Sequence, residues 1–184
     1  MLERQINEGV EERLPVVPGL RVDISPSLGA PERGVIAERV FEVGERVFSV
    51  CGPILRSPTI YSFQLDESHH IDPIERDGRF GIGHYVNHSC SPTTGWGGIV
   101  IDEGRVGIQF VALRIIRPDE EITFDYATTE WDTVAKDSCR CGSSEGRGTL
   151  HGYRDLSQEL RERYISMGII PFYLLNQAEV ESPQ

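Results

Sequence analysis

Between residues 20 and 130 the apolar positions come in short runs that never settle into a helical period. LRVDIS (20–25), VIAERVF (35–41) and RVFSVC (46–51) are rich in β-branched and aromatic residues and are bounded by turn formers, the pattern of strands. SLGAPERG reads as a turn-rich loop between the first two, and EVGE joins the second to the third. IYSFQL (60–65) alternates weakly. GIVID and VGIQFVALRII flank Glu103-Gly104, which predicts a tight hairpin with glycine at the positive φ. EITFDY (121–126) follows the turn RPDE, with Ile122, Phe124 and Tyr126 on one strand face and Thr123 and Asp125 on the other.

The pattern changes after residue 150. In DLSQELRERYISMG (155–168), Leu156, Leu160 and Tyr164 lie four apart, predicting a helix that starts at Asp155 and stops at Gly168. FYLLNQAEV, after Pro171, predicts a second short helix. Residues 2–14 suit a short amphipathic helix or a loose arm, ended by Pro15 and Pro18. The whole is a mostly-β chain of small sheets with a helical C-terminal flank and little parallel βαβ character.

Composition narrows the partners more than the fold. The 184 residues suit one domain, and 39% hydrophobic with 26% charged residues is ordinary for a globular protein. A net charge of -11 repels nucleic-acid phosphates and favours a basic partner, such as a Lys/Arg-rich protein tail. The same charge also serves plain solubility. MLERQINEGVEERL is too charged for a signal peptide, and no apolar run reaches membrane-spanning length. Cys51, Cys90, Cys139 and Cys141 are too few for a disulfide scaffold. These features predict a cytoplasmic protein with reduced thiols and with neither nucleic acid nor membrane as partner.

Four segments carry candidate chemistry. HYVNHSCSPTT (84–94) formally contains a glycosylation sequon, and His84 and His88 stand at i,i+4, but Pro92 argues against a helix and no HExxH glutamate is present. No nucleophile elbow appears. Buried Asn and His can equally satisfy backbone groups of an irregular segment. EEITFDYATTEW places a tyrosine whose hydroxyl needs a partner if buried, or it is simply a core strand. CRCGSSEGRG offers two thiols one residue apart. Cys90 could add a third, whereas structural zinc wants four ligands, so free cysteines are the competing reading. GAPERGVIAERVFEVGERV has a glycine loop before a strand that matches neither common nucleotide pattern.

In order and spacing, these segments together resemble the SET-domain family of S-adenosylmethionine-dependent protein-lysine methyltransferases. The matching blocks are ERGVIAERVFEVGERV (32–47), HYVNHSCSPTT (84–94), VALRIIRPDEEITFDY (111–126) and CRCGSSEGRG (139–148). The length and the LRERYISMGIIPFYLL tail resemble small stand-alone bacterial members. The resemblance implies a SET fold of short curved sheets with a knot-like crossing, where the asparagine-histidine segment passes beneath the loop of the final tyrosine. It divides the chain into an arm (1–19), a SET domain (20–130), a post-SET-like cysteine segment (131–153) and a helical segment (154–184). Tyr126 and Phe124 would be catalytic, with Phe124 favouring higher methylation states. Glu32, Arg33, Gly34, His84, Tyr85, Asn87 and His88 would bind S-adenosylmethionine, and Trp131 would cover its adenine.

The chain also departs from the family. Glu32 stands at the first glycine of a G-x-G, His84 at an arginine, and Thr93 at an asparagine. FSVCG lacks a tyrosine common near position 52, leaving its space to Val50 or Cys51. Gly146 replaces the last cysteine of C-x-C-x4-C, so zinc would rest on Cys90, Cys139 and Cys141 unless His151 folds back to join them. Without zinc, that segment would be mobile, or ordered by the C-terminal helix or by a second subunit in a homodimer. The resemblance implies lysine methylation of a basic protein or peptide. An S-adenosylmethionine-using enzyme acting on a small molecule (an amino acid or amine), and a degenerate module that binds without turnover, are the alternatives.

Overall fold

The computed structural model describes residues 14–181. The arm expected over 2–14 therefore lies almost wholly outside the described residues. Three small sheets form the body. The first has the order β1 (Leu20–Ile24), β2 (Arg33–Ala37), β10 (Glu121–Phe124) and β7 (Asn87–His88). The second is β3 (Arg46–Cys51), β9 (Arg105–Ala112) and β8 (Thr94–Asp102), and the third β4 (Ile54–Leu55), β6 (His70–Ile71) and β5 (Phe63–Gln64).

The hairpin forms where the sequence puts it. Asp102 pairs with Arg105, and Glu103 and Gly104 both take positive φ, 46° and 76°. That is the mirror-image turn whose twist suits antiparallel strands. Elsewhere the strands are shorter than their apolar runs. VIAERVF is strand only to Ala37; the chain then bends so that fully buried Phe41 bridges to Ile116. Consequently β2 and β3 enter different sheets rather than one hairpin. In IYSFQL only Phe63–Gln64 is strand.

The sheets close on one apolar core in which Phe110 is central. Its ring stacks on Phe48 at 4.6 Å and contacts Phe63 and Phe124 at 5.7 and 5.0 Å. A second core begins just past β10. It gathers Ala127, Trp131 and Tyr153 with Leu156 and Tyr164 and the residues around Pro171. Two helices seal it: α1 (Gln158–Ser166) and α2 (Phe172–Glu181). The N-cap of α1 is Ser157, whose Oγ accepts from Leu160 N–H at 3.3 Å, so the helix starts later than Asp155. Gly168 ends that region with φ 70°. Among the described residues, no helix is long and apolar enough to cross a membrane.

Gly52 fixes how the third sheet sits on the second. A Cβ there would collide with the backbone carbonyl of Asp72, while Asp72 N–H donates to Pro53 O at 3.0 Å. Gly52→Ala must therefore push two backbones apart, and a loss of ~2 kcal/mol or more is expected in urea unfolding. An unchanged midpoint would show that the two sheets are not in register through this contact.

Candidate active site

β7 is only two residues long, yet it is held from every side. It pairs in parallel with β10, Asn87 opposite Thr123 and His88 opposite Phe124. Ser89 N–H then donates to Phe124 O at 3.0 Å. Thr93 Oγ1 accepts from Thr123 N–H at 2.8 Å, and Thr94 Oγ1 donates to Thr123 O at 2.9 Å. This is the juxtaposition that the expected crossing requires. It explains how a polar, turn-rich segment can be buried, because its backbone groups find partners in β10.

Asn87 is clamped by its amide. Nδ2 donates to Arg33 O and to Glu121 Oε1, both at 2.8 Å, so its hydrogens are spent and its free function is an acceptor oxygen. Glu121 is pinned in turn by Ser25 Oγ at 2.8 Å and Ser27 N–H at 3.1 Å. Gly34 packs against the same Glu121 carboxylate, leaving no room for a side chain.

Two cavities meet at Tyr126. The larger, of about 370 Å³, is lined by Asn87, His88 and Tyr126 on one side, and by Ser138, Arg140, Cys141 and Leu150 of the cysteine segment on the other. The smaller, of about 20 Å³, is a slot lined by Tyr61, Phe63, His84, Phe124, Tyr126 and Glu130. Tyr126 begins a short 3-10 turn (Tyr126–Thr128), and its hydroxyl donates to Val86 O at 3.3 Å. Burial holds that phenol well above its usual range, and Glu130 adds to the effect. Tyr126 therefore stays protonated near neutral pH. Burial also lowers His88, to about 4 despite the opposing pull of Asp125, so the imidazole is neutral.

Beside Tyr126 lies Asp125, fully buried and densely bonded. Arg147 grips it with two hydrogen bonds, at 2.6 and 2.7 Å, Tyr164 Oη donates at 2.8 Å, and Ala127 N–H donates at 3.1 Å. One carboxylate thus ties β10 to the cysteine segment and to α1. A strand residue expected on the polar face is instead the most heavily partnered acid in the site.

Comparison with known proteins places this arrangement. Residues 32–127 match the SET-domain family, which is just over half of the chain. The chain belongs to the SET-domain family. An H3 lysine-4 specific histone-lysine N-methyltransferase of Emericella nidulans is 40% identical over 92 residues, covering 50% of this chain and 7% of that protein. The Aspergillus flavus methyltransferase flvH is 34% identical over 80 residues, 44% of this chain and 42% of that one. Human histone-lysine N-methyltransferase 2B is 28% identical over 133 residues, 65% of this chain and 5% of that one. The chain therefore spans a small part of the large relatives and less than half of flvH. The solved structure of KRYPTONITE with mCHG DNA and SAH shares the fold at TM-score 0.57 and 23% identity, covering 72% of this chain and 29% of that one.

Within this SET domain the expected site residues separate into groups. Asn87, His88 and Tyr126 line the large cavity. Arg33 and Gly34 reach it through Asn87 and Glu121, and Glu32 pairs with Arg140 at its rim, Oε1 to Nη2 3.3 Å. His84 lies in the slot, between Phe80 at 3.9 Å and Tyr61 at 4.0 Å. Tyr85 is core. Trp131 lines neither cavity; it packs in the second core 6.0 Å from Tyr153, with its backbone N–H on Gln64 Oε1. Phe124 lies in the slot among Phe63 and Tyr126, at 5.3 and 4.8 Å. Tyr61 lines the slot, and Val50 stands against Gly83 in its wall. The quoted motifs contain Asp125, Arg147, Glu121 and Glu130 without assigning them a role, and Tyr164 is read there only as a helix-face residue. The only sequence sign was acids alternating with apolar residues in a strand that proves buried on both faces.

The cysteines converge. Ligand atoms of His88, Cys90, Cys139 and Cys141 all lie within 4.8 Å of one another. Cys90 Sγ is 3.7 Å from Cys139 Sγ and 3.3 Å from His88 Nε2. Tetrahedral zinc sets two sulfurs about 3.8 Å apart and a sulfur and a nitrogen about 3.5 Å apart, so the donors fit it. His88, rather than His151, is the fourth member. His88 Nδ1 lies 3.6 Å from Asp125 Oδ1 and accepts from Tyr126 N–H at 3.4 Å, which fixes the ring with Nε2 toward the thiols. Where Gly146 leaves out a cysteine, Arg147 N–H donates to Cys90 Sγ at 3.4 Å.

Two outcomes are expected. Arg147→Met strands the Asp125 charge and should cost ~3–5 kcal/mol in urea unfolding. Arg163→Ala, which breaks only the exposed pair with Glu145, should cost under ~1 kcal/mol. Equal losses would refute the buried anchor. Elemental analysis of purified protein should find about one zinc per chain, lost in Cys139→Ser and kept in Cys51→Ser; zinc-free wild type would mean that hydrogen bonds alone hold the segment.

Proposed function

We propose that this chain transfers a methyl group from S-adenosylmethionine to the side-chain amine of a lysine in a basic protein. The observation that carries this is Tyr126 as the shared wall of a cavity of about 370 Å³ and a slot of about 20 Å³. The larger space suits a nucleoside-sized donor; the slot, with room for about one water, marks where the tip of an unbranched alkyl amine would enter between Phe63, Phe124 and Tyr126. The bound donor supplies a methyl already activated on a positive sulfonium, so the protein's task is alignment.

Each residue then has a defined part. Asn87 offers its acceptor oxygen to the donor's ammonium. Neutral His88 adds no positive charge beside a sulfonium. Tyr126 keeps its proton and donates a hydrogen bond to Val86 O, so its oxygen remains an acceptor for the amine and the polarised methyl. It orients and does not deprotonate. Phe124 has no hydroxyl with which to anchor a water next to the amine, which leaves room for successive methyls. Zinc, held by His88, Cys90, Cys139 and Cys141, would be structural, fastening the far wall of the large cavity. The net charge of -11 and the H3 lysine-4 relatives point to a histone-like basic tail as acceptor. A cytoplasmic location belongs to the same proposal, since gathered thiols stay reduced there. A degenerate binding module is not favoured, because Tyr126, Asn87 and both cavities are in place.

The test pairs turnover with binding. Tyr126→Phe should lower transfer of labelled methyl to a basic protein by ~100-fold or more. Calorimetric affinity for S-adenosylhomocysteine should stay within about threefold of wild type, since Tyr126 offers it little polar contact. Equal loss of both would make Tyr126 structural, and wild type that binds the donor product but methylates no basic protein would overturn the acceptor.

A further inference from the structure

The slot contains one group that alignment of a methyl does not explain. Among its aromatic walls stands a carboxylate, Glu130. Its backbone is fixed twice: the N–H donates to Tyr126 O at 3.1 Å, and the carbonyl accepts from Tyr153 N–H at 2.8 Å. These bonds fix the backbone from which Glu130 reaches the slot to the turn that carries Tyr126. Among the described residues, no ion pair involves it.

An acid in this place answers a chemical difficulty. A lysine amine has a pKa near about 10.4 and reaches a neutral solution as ammonium, whereas only the free amine has a lone pair. Tyr126 holds its own proton and cannot accept another. His84 stacks on Phe80 and lies tilted against Tyr61. Glu130 is the carboxylate in contact with the same space. We propose that Glu130 receives the incoming ammonium and takes its proton, which makes it the base of the acceptor slot and selects a cationic amine over a neutral acceptor.

The step balances. One N–H bond breaks, its electron pair stays on nitrogen as the lone pair, and the proton moves to a Glu130 oxygen. The lone pair then forms the N–C bond as the S–C bond breaks and its electrons return to sulfur. Glu130 releases its proton to water, so one methyl moves and one proton is lost. The surroundings keep Glu130 suited to this. Burial raises its carboxyl to about 7, opposed by a hydrogen bond from Thr133 and reinforced by Asp132. Asp132 itself is met by Arg154 at 3.8 Å. The other titratable groups around it are the phenols of Tyr126, Tyr61 and Tyr173, and His84.

This inference rests on the proposed methyl transfer, and the test separates the two. The full chain and its Glu130→Gln variant are assayed for kcat/KM from pH 6 to pH 10, with a histone H3 amino-terminal peptide as acceptor. Wild type should show an acid limb near pH 7 that the variant lacks. The variant should be ~100-fold slower at pH 7 and within about threefold at pH 10, where free amine is plentiful. S-adenosylhomocysteine affinity should be unchanged. A second readout needs no turnover. The carboxyl is raised on folding from 4.5 to about 7, so wild-type stability should fall as pH rises through that window. Glu130→Gln, with no proton to lose there, should melt higher than wild type at pH 8.5 and not at pH 4. Active wild type with a variant slowed by one constant factor, or not at all, would overturn the base. Wild type inactive on the peptide would overturn the methyl-transfer reading on which it stands.

Discussion

The Asp125 carboxylate is the contact on which the rest of the molecule turns. It is wholly buried, and a buried charge without a partner costs several kcal/mol. Its partners come from separate parts of the chain: Arg147 from the cysteine segment, Tyr164 from α1, and Ala127 from the turn just beyond. Satisfying one charge thus dictates where three segments sit. The geometry next to it is the site itself, since Asp125 is the neighbour of Tyr126 and faces the ring of His88.

That anchoring explains how the large cavity can have two walls of different origin. One belongs to β7 and β10. The other belongs to a segment with little regular structure, which a short irregular peptide cannot hold by its own backbone bonds. The bidentate pair of Arg147 and the convergence of three thiols with His88 hold it from outside. The loss of a cysteine at Gly146 is met twice over, by the Arg147 N–H at Cys90 and by the imidazole of His88 in the cluster. The smaller slot differs. It is cut mainly into the aromatic part of the first core, and Glu130 brings a carboxyl into its otherwise largely apolar wall.

Much of this was legible in the sequence, and the limits were physical. The hairpin at Glu103-Gly104, the two C-terminal helices and the short-strand character follow from turn chemistry and periodicity. The run VIAERVF misled because Phe41 is apolar for a core contact with Ile116, not for a strand. Motif order groups Asn87, His88 and Tyr126, and the structure brings all three to the wall of one cavity. His84 was placed by that same order beside the donor, yet an aromatic sandwich with Phe80 and Tyr61 puts it in the slot. Trp131 was assigned by proximity to the closing strand, whereas the second core claims its ring. Asp125, Arg147 and Tyr164 stand as far as 39 residues apart along the chain, and no periodicity links them. The His88–cysteine cluster was half visible, as three thiols seeking a ligand whose identity depended on the crossing of β7 and β10.

A crystal structure of the protein with S-adenosylhomocysteine and a lysine peptide would test the shared wall at Tyr126 most directly. The donor's sulfur should approach the Tyr126 hydroxyl from the cavity lined by Asn87 and His88, and the lysine nitrogen from the slot lined by Phe124 and Glu130. Density for both ligands on the same side of Tyr126, or for the donor in the separate cavity of about 430 Å³ beside Glu75 and Arg76, would contradict it.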